Sequence, residues 1–231
     1  MKYDQVSRVF TTARSYTTKE GEDKVFVQEY PFTTWSYIYD GPPEDFIVAK
    51  VFDYFQYLMG EGRPEIGDRK SVSQLPLMKG VTAKKIDDPI VQDAEMAGYE
   101  GGGQDQHRIV QRHLMKFNSS IIASEVPVWN DCTCQFDSPL SCWCGTSGGC
   151  VCIAPEACEC ELVMGHIDYI QWDKARKVLR VLDFKPAAFK EKKAASQLCR
   201  YGHLLADRLG IDPKSIELIY FDKDEAYQVI F

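Results

Sequence analysis

No run of about 18 apolar residues occurs in the chain, which excludes a helix able to span a bilayer. An excess of basic residues is lacking too: 27 Lys and Arg stand against 34 Asp and Glu, a net charge of −7. That excludes a protein that grips nucleic acid through uniform positive charge, but leaves room for a local basic face. The opening MKYDQVSRVF has no apolar stretch of the kind an export signal requires, so the expected location is the cytoplasm. There is no GxxxxGK(S/T) segment, hence no phosphate-cradling ATPase loop, and any helicase would have to act in trans. What is present is enough for a core. The 231 residues are 45% hydrophobic, which argues against disorder and for one large domain or a domain carrying an insertion.

The first 95 residues hold no chemical motif and read as an N-terminal accessory region. VFVQEY and TTWSYIYD, rich in aromatic and β-branched residues, predict strands. Apolar residues near helical spacing predict a helix over 44–58, and the glycines and prolines of 60–95 predict loop. Residues 96–231 read as the core, and from about residue 100 the pattern sharpens into a helix after Gly101-Gly102-Gly103 through Phe117, a strand over 121–129, strands over 161–172 and 178–184 joined by a polar turn, a helix over 187–209 closed by Gly210, and strands over 215–221 and 226–231. This order predicts an α/β core with a central mixed sheet flanked by helices.

Chemistry concentrates on the middle hairpin. Asp168 lies within one strand, and Asp183 and Lys185 end the next. Alternation puts Asp183 and Lys185 on one face, and the short connection allows Asp168 to lie beside them. Two adjacent carboxylates repel unless a cation sits between them. Hard oxygen ligands suit Mg²⁺ or Mn²⁺, which can assist phosphodiester hydrolysis. D-x-K by itself is so common that a surface ion pair explains it better.

The surrounding words are what add specificity. Gly165-His166-Ile167-Asp168, Asp183-Phe184-Lys185 and the Gln197…Tyr201 pair on a following helix resemble the PD-(D/E)xK nucleases. The likeness is specifically to the RecB-type branch, which includes the RecB-like nucleases of CRISPR adaptation and viral and phage exonucleases. The resemblance covers about residues 100–231 and implies a restriction-endonuclease-like core. It implies that His107, Asp168 and Asp183 bind Mg²⁺ or Mn²⁺ with help from the backbone carbonyl of Phe184, and that Lys185 is the catalytic lysine. Glu125 matches an acidic position often found in the preceding strand, as a further metal ligand. Gln197 and Tyr201 would contact nucleic acid or position the lysine, and His166 would contact phosphate. His113 lies too far round the helix to share the face of His107. The implied activity is a deoxyribonuclease on single- or double-stranded DNA, exonucleolytic or single-strand-processing, with a helicase or a recombination or adaptation partner in trans. RNA remains an alternative substrate. A binding or assembly module on a nuclease-like scaffold is the alternative function.

Two further features bear on partners. Residues 174–200 carry nine basic and two acidic residues. Lys190 and Lys193 are in this strip, which could guide a phosphate backbone or simply be a solvated surface. Eight of the nine cysteines form four CxC pairs: Cys132 and Cys134, Cys142 and Cys144, Cys150 and Cys152, Cys158 and Cys160. Clustered thiols without an export signal favour a metal, so residues 130–160 read as a cysteine-rich metal-binding insertion with room for two Cys₄ zinc sites. An iron–sulfur cluster is the alternative, and disulfides rank third. The RecB-like relatives place three cluster ligands after the QxxxY helix, and here no cysteine follows Cys199.

Overall fold

The computed structural model describes residues 4–19, 21–39, 43–60, 70–98, 104–130, 143–145, 149–151 and 163–231. In chain order the elements are β1 (Gln5–Thr17), β2 (Asp23–Trp35), α1 (Phe46–Met59), β3 (Lys70–Ser71), β4 (Thr82–Ile86), α2 (Ile90–Met96), α3 (Gln104–Phe117), β5 (Ile121–Asn130), β6 (Trp143–Gly145), β7 (Gly149–Val151), β8 (Val163–Asp173), β9 (Val178–Phe184), α4 (Ala194–Leu209), β10 (Ile216–Phe221) and β11 (Ala226–Ile230). The protein is α/β. A nine-stranded mixed sheet runs β1-β2-β5-β8-β9-β10-β11-β4, with β3 pairing β8 off this path. Strand β9 meets β10 in parallel and its other neighbour, β8, antiparallel.

The apolar positions divide between two cores. Residues from α1 and α4 pack with Phe32, Val126, Ile170 and Val181 in the larger one. Residues from α2 and α3 pack with Ile121, Tyr169, Leu182, Phe184 and Phe221 in the smaller. Each helix therefore buries its apolar stripe against the sheet, the main source of stability for helices of this length. Local signals set the ends. Asp45 caps α1 by accepting from the Ile47 N–H at 3.0 Å. Gly210 ends α4 at φ +63°, a left-handed turn that glycine enters without strain.

Several expectations are corrected. Residues 60–95 are not all loop, because they include β4 and α2. Strand β4 lies at a sheet edge with Thr82 to Lys85 exposed, so it shows no alternation, and α2 is only seven residues. The two strands expected early in the chain are one long strand, β2, paired along its length with β1, followed by a 3-10 turn at Ser36–Tyr39. The helix expected from residue 187 starts at Ala194 instead, after a 3-10 turn at Ala188–Lys190.

Asp222 explains that late start. Its carboxylate is 3% exposed and accepts the N–H groups of Ala188, Asp224 and Glu225, each at 2.8 Å. It ties the segment behind Lys185 to the β10–β11 turn. Replacing Asp222 with Ala strands three backbone donors. The expected cost is about 1–3 kcal/mol, measured by urea unfolding; a loss within 0.5 kcal/mol, the scatter typical of surface changes, would contradict this role.

Candidate metal centre

Register brings the acids together. Strands β8 and β9 pair Tyr169 with Leu182, and one further step sets Asp168 opposite Asp183. Strands β5 and β8 pair Ser124 with Tyr169 and Val126 with Ile167, so Glu125 lies opposite Asp168. Three carboxyls thus form a row across three adjacent strands. Directly opposed antiparallel residues have their Cβ atoms about 5 Å apart, close enough for these short side chains to interact.

Glu125 has φ +53°, the left-handed region that a non-glycine residue rarely occupies within a strand. Strained backbone of this kind clusters at functional sites. Sequence gives Glu125 its place in the strand but no warning of this conformation. His107 joins the row from the first turns of α3. Its Nε2 lies 2.8 Å from Asp168 Oδ2, which also accepts the Phe184 N–H at 2.9 Å. His107, Glu125 and Asp168 each offer one ligand atom, and these three atoms lie within 4.8 Å of one another. Asp183 is not in that trio. It stands beside Asp168 in the row, and it holds Lys185 Nζ 3.0 Å from Oδ1 and 2.8 Å from Oδ2. Phe184 contributes its N–H and a ring packed on Phe221.

Charge is unevenly shared along the row. Burial raises Asp183 from an ordinary 3.8 to about 8, outweighing the Lys185 ammonium, while Asp168 pushes it further up. Burial would raise Asp168 too, but the His107 imidazolium, with Lys185 and the Asp183 proton, holds it well below the usual carboxylate range. Glu125 rises from 4.5 to about 7, by burial and then by the Asp168 charge. His107 rises from 6.5 to about 9 because of Asp168. Burial opposes the Lys185 charge, yet Asp183 and Asp168 push its pKa above the ordinary 10.5, so it stays an ammonium. Without another cation the row holds protons instead of full charge.

The remaining expected site residues fall around this centre. Gln197 Nε2 donates to Tyr201 Oη at 2.8 Å. The Tyr201 ring is only 4% exposed, so it offers no open face to a base. It lies on Gly165, where a Cβ would come 2.3 Å from Tyr201 Cε1. The glycine before Asp168 and the tyrosine on α4 therefore touch. His166 stacks on Tyr30 with ring centroids 3.5 Å apart and is outside the trio. Lys190 and Lys193 are exposed on the segment after Lys185. Cys144 and Cys150 are register partners in the β6–β7 hairpin. Cys132, Cys134, Cys142, Cys152, Cys158 and Cys160 lie outside the described residues. Cys199 is buried, and burial pushes its thiol up to about 11. The contributions of Asp222 and Tyr30 were missed. Asp222 opens an Asp-Lys-Asp-Glu turn, a visible signal for a turn but not for burial.

No helix among the described residues is long and apolar enough to cross a membrane. Comparison with protein-family models, curated proteins and solved structures gives no match.

Two predictions follow from this geometry. Gly165→Ala displaces the Tyr201 ring, and overpacking of this kind costs about 1–3 kcal/mol; unchanged urea unfolding would contradict the contact. The second concerns pH in the metal-free protein. Asp183, Glu125 and His107 keep protons that the unfolded chain releases near 3.8, 4.5 and 6.5. Their stabilising contribution is full below those values and is lost as pH rises through about 7, 8 and 9. Asp168 acts oppositely, and its contribution is lost on acidification. Stability in EDTA should therefore fall from mildly acidic pH toward pH 9, and Asp183→Asn should flatten the fall. Urea midpoints that rise over this range, or that fall equally in Asp183→Asn, would contradict the assignment.

Proposed function

We propose that the chain is a metal-dependent nuclease that hydrolyses phosphodiester bonds in DNA, on a restriction-endonuclease-like core of the RecB type. The observation that carries this reading is the row Glu125, Asp168 and Asp183 on adjacent strands, with His107 and Lys185 at hydrogen-bond distance from two of its members. The element order from α3 to β11, with β9 and β10 parallel, agrees with the resemblance in the motifs.

The donor set suits a hard divalent ion. Two or three carboxylate oxygens and one imidazole fit Mg²⁺ or Mn²⁺, and protons now held by Asp183, Glu125 and His107 can leave when a cation takes their place. When bound, such an ion neutralises the acids and polarises a phosphoryl oxygen and a water. The chain's own residues do the rest. Lys185, fixed by Asp183 and kept protonated, donates hydrogen bonds to the attacking water or a phosphoryl oxygen; an ammonium of this kind cannot serve as the general base. The Phe184 N–H holds the Asp168 carboxylate in one orientation, as an outer partner of a metal ligand does, while His107 would exchange its contact with Asp168 for the cation. Tyr201, braced by Gln197 and seated on Gly165, fixes the strand that carries Asp168. The eight paired cysteines would hold a structural metal, with zinc favoured over an iron–sulfur cluster because no cysteine follows Cys199, where RecB-like relatives place three cluster ligands.

End-labelled single- and double-stranded DNA, incubated with Mn²⁺ or with EDTA, tests this. Asp183→Ala should abolish metal-dependent cleavage and Lys185→Ala should slow it by about 10²–10³-fold, with a cooperative urea transition in each variant showing that it folds. Full activity in both variants, or no metal-dependent cleavage by the wild type, would sink the reading. Elemental analysis should find about two zinc ions per chain; iron with inorganic sulfide would replace zinc by the cluster.

A further inference from the structure

Helix α3 delivers His107 to the metal centre, but most of its surface faces elsewhere. Arg108, Arg112 and Lys116 are all exposed and lie at i, i+4 and i+8. They form a single basic stripe with a step of about 6 Å, close to the separation of successive phosphates in an extended strand. None of the three has an ion-pair partner among the described residues. Beside it runs a second stripe of Ile109, His113 and Phe117 at the same spacing. Ile109 is 36% and Phe117 64% exposed, and His113 packs on Phe117 with ring centroids 4.8 Å apart.

The stripe leads to a hollow of about 620 Å³ at the C-terminal end of α3. Trp35, Phe52, Phe117 and Trp172 line it, with Lys116 and Lys174 as its basic members and Asp45, whose carboxylate caps α1, as its one acidic member. Its size is that of a small-molecule site, and its lining combines flat apolar rings with positive charge. Lys116 Nζ lies 4.9 Å from the centroid of the Phe117 ring, so cation and aromatic surface are already adjacent. Lys116 belongs to both stripe and hollow. Two paths measure the interval to the acids. His107 to Lys116 is nine helical residues, about 13 Å, and Asp168 to Trp172 is four strand residues, also about 13 Å.

We propose that the outer face of α3 and this hollow form a track for single-stranded nucleic acid. Arg108, Arg112 and Lys116 hold consecutive phosphates, and the hollow takes an unstacked base against its aromatic rings. Charge complementarity selects a polyanion. A duplex keeps its bases stacked inside, so only a single strand can use both the basic stripe and the aromatic hollow. The track deepens the nuclease reading and rests on it only for the strand's destination at the acidic row.

Binding measured without divalent metal separates the two. Fluorescence anisotropy with a fluorescein-labelled oligothymidylate in EDTA, over a range of NaCl, is applied to the full chain, to the triple variant R108A/R112A/K116A and to F117A. All four side chains are exposed and outside the metal centre, and matched urea unfolding checks the fold. The triple variant should bind at least about tenfold more weakly, with the slope of log affinity against log salt reduced by about 2. F117A should weaken binding several-fold with the slope unchanged, because a ring and not a charge is lost. Parallel losses with an oligouridylate support the track for RNA as well. Wild-type affinity and slope in the triple variant would overturn the proposal, as would equal losses with duplex DNA or with an acidic peptide. If the nuclease reading alone fails, no variant cuts with Mn²⁺ while these binding differences persist; if the track alone fails, cutting persists and the differences vanish.

Discussion

Three carboxyl groups set opposite one another on neighbouring strands cannot all be ionised in a buried setting unless positive charge joins them. This constraint organises the centre of the molecule. His107 and Lys185 meet it in part, one from a helix and one from the end of β9, and protons on Asp183 and Glu125 meet the remainder. A structural ion pair would need only one acid and one base. A row with more acids than cations, held by a strained Glu125 backbone and a buried Asp183, is costly for folding alone and suits a site that receives a cation.

The surrounding structure keeps this row in register. The β8–β9 hairpin sets Asp168 against Asp183, and the β5–β8 ladder sets Glu125 against Asp168. The close approach of Tyr201 to Gly165 locks α4 onto the strand bearing Asp168. Asp222 ties the segment after Lys185 to the next turn. A different set of contacts, from Arg180 to Asp88, Gln171 and Glu217, joins the far end of the hairpin to the start of α2 and to β10. The N-terminal residues extend the same sheet at both edges, as β1 and β2 on one side and β4 on the other.

Much of this was legible in the sequence where a single physical signal dominated. Strands β8 and β9 are rich in apolar residues on either side of one polar turn, and α3 and α4 show helical spacing, so their existence and order could be read. Convergence of Asp168, Asp183 and Lys185 followed from alternation and a short hairpin. Other features depend on distant partners and leave no local trace. The left-handed Glu125 occurs within an ordinary-looking IIASEVPVW strand. Strand β4 carries lysines that read as loop but protect an edge. The start of α4 is set by Asp222, which lies 34 residues beyond Ala188. Tyr201 resembles a base-stacking residue, and only its packing on Gly165 shows it to be buried. The cysteine pairs are plain in the sequence, while of their residues only the Cys144 and Cys150 backbones are described.

Calorimetric titration of Mn²⁺ into EDTA-treated protein, repeated in buffers of different ionisation enthalpy, tests the central claim most directly. The account predicts saturable binding at neutral pH accompanied by proton release, with both lost in Asp168→Asn. Mn²⁺ binding without proton release, or binding undiminished by Asp168→Asn, would contradict it.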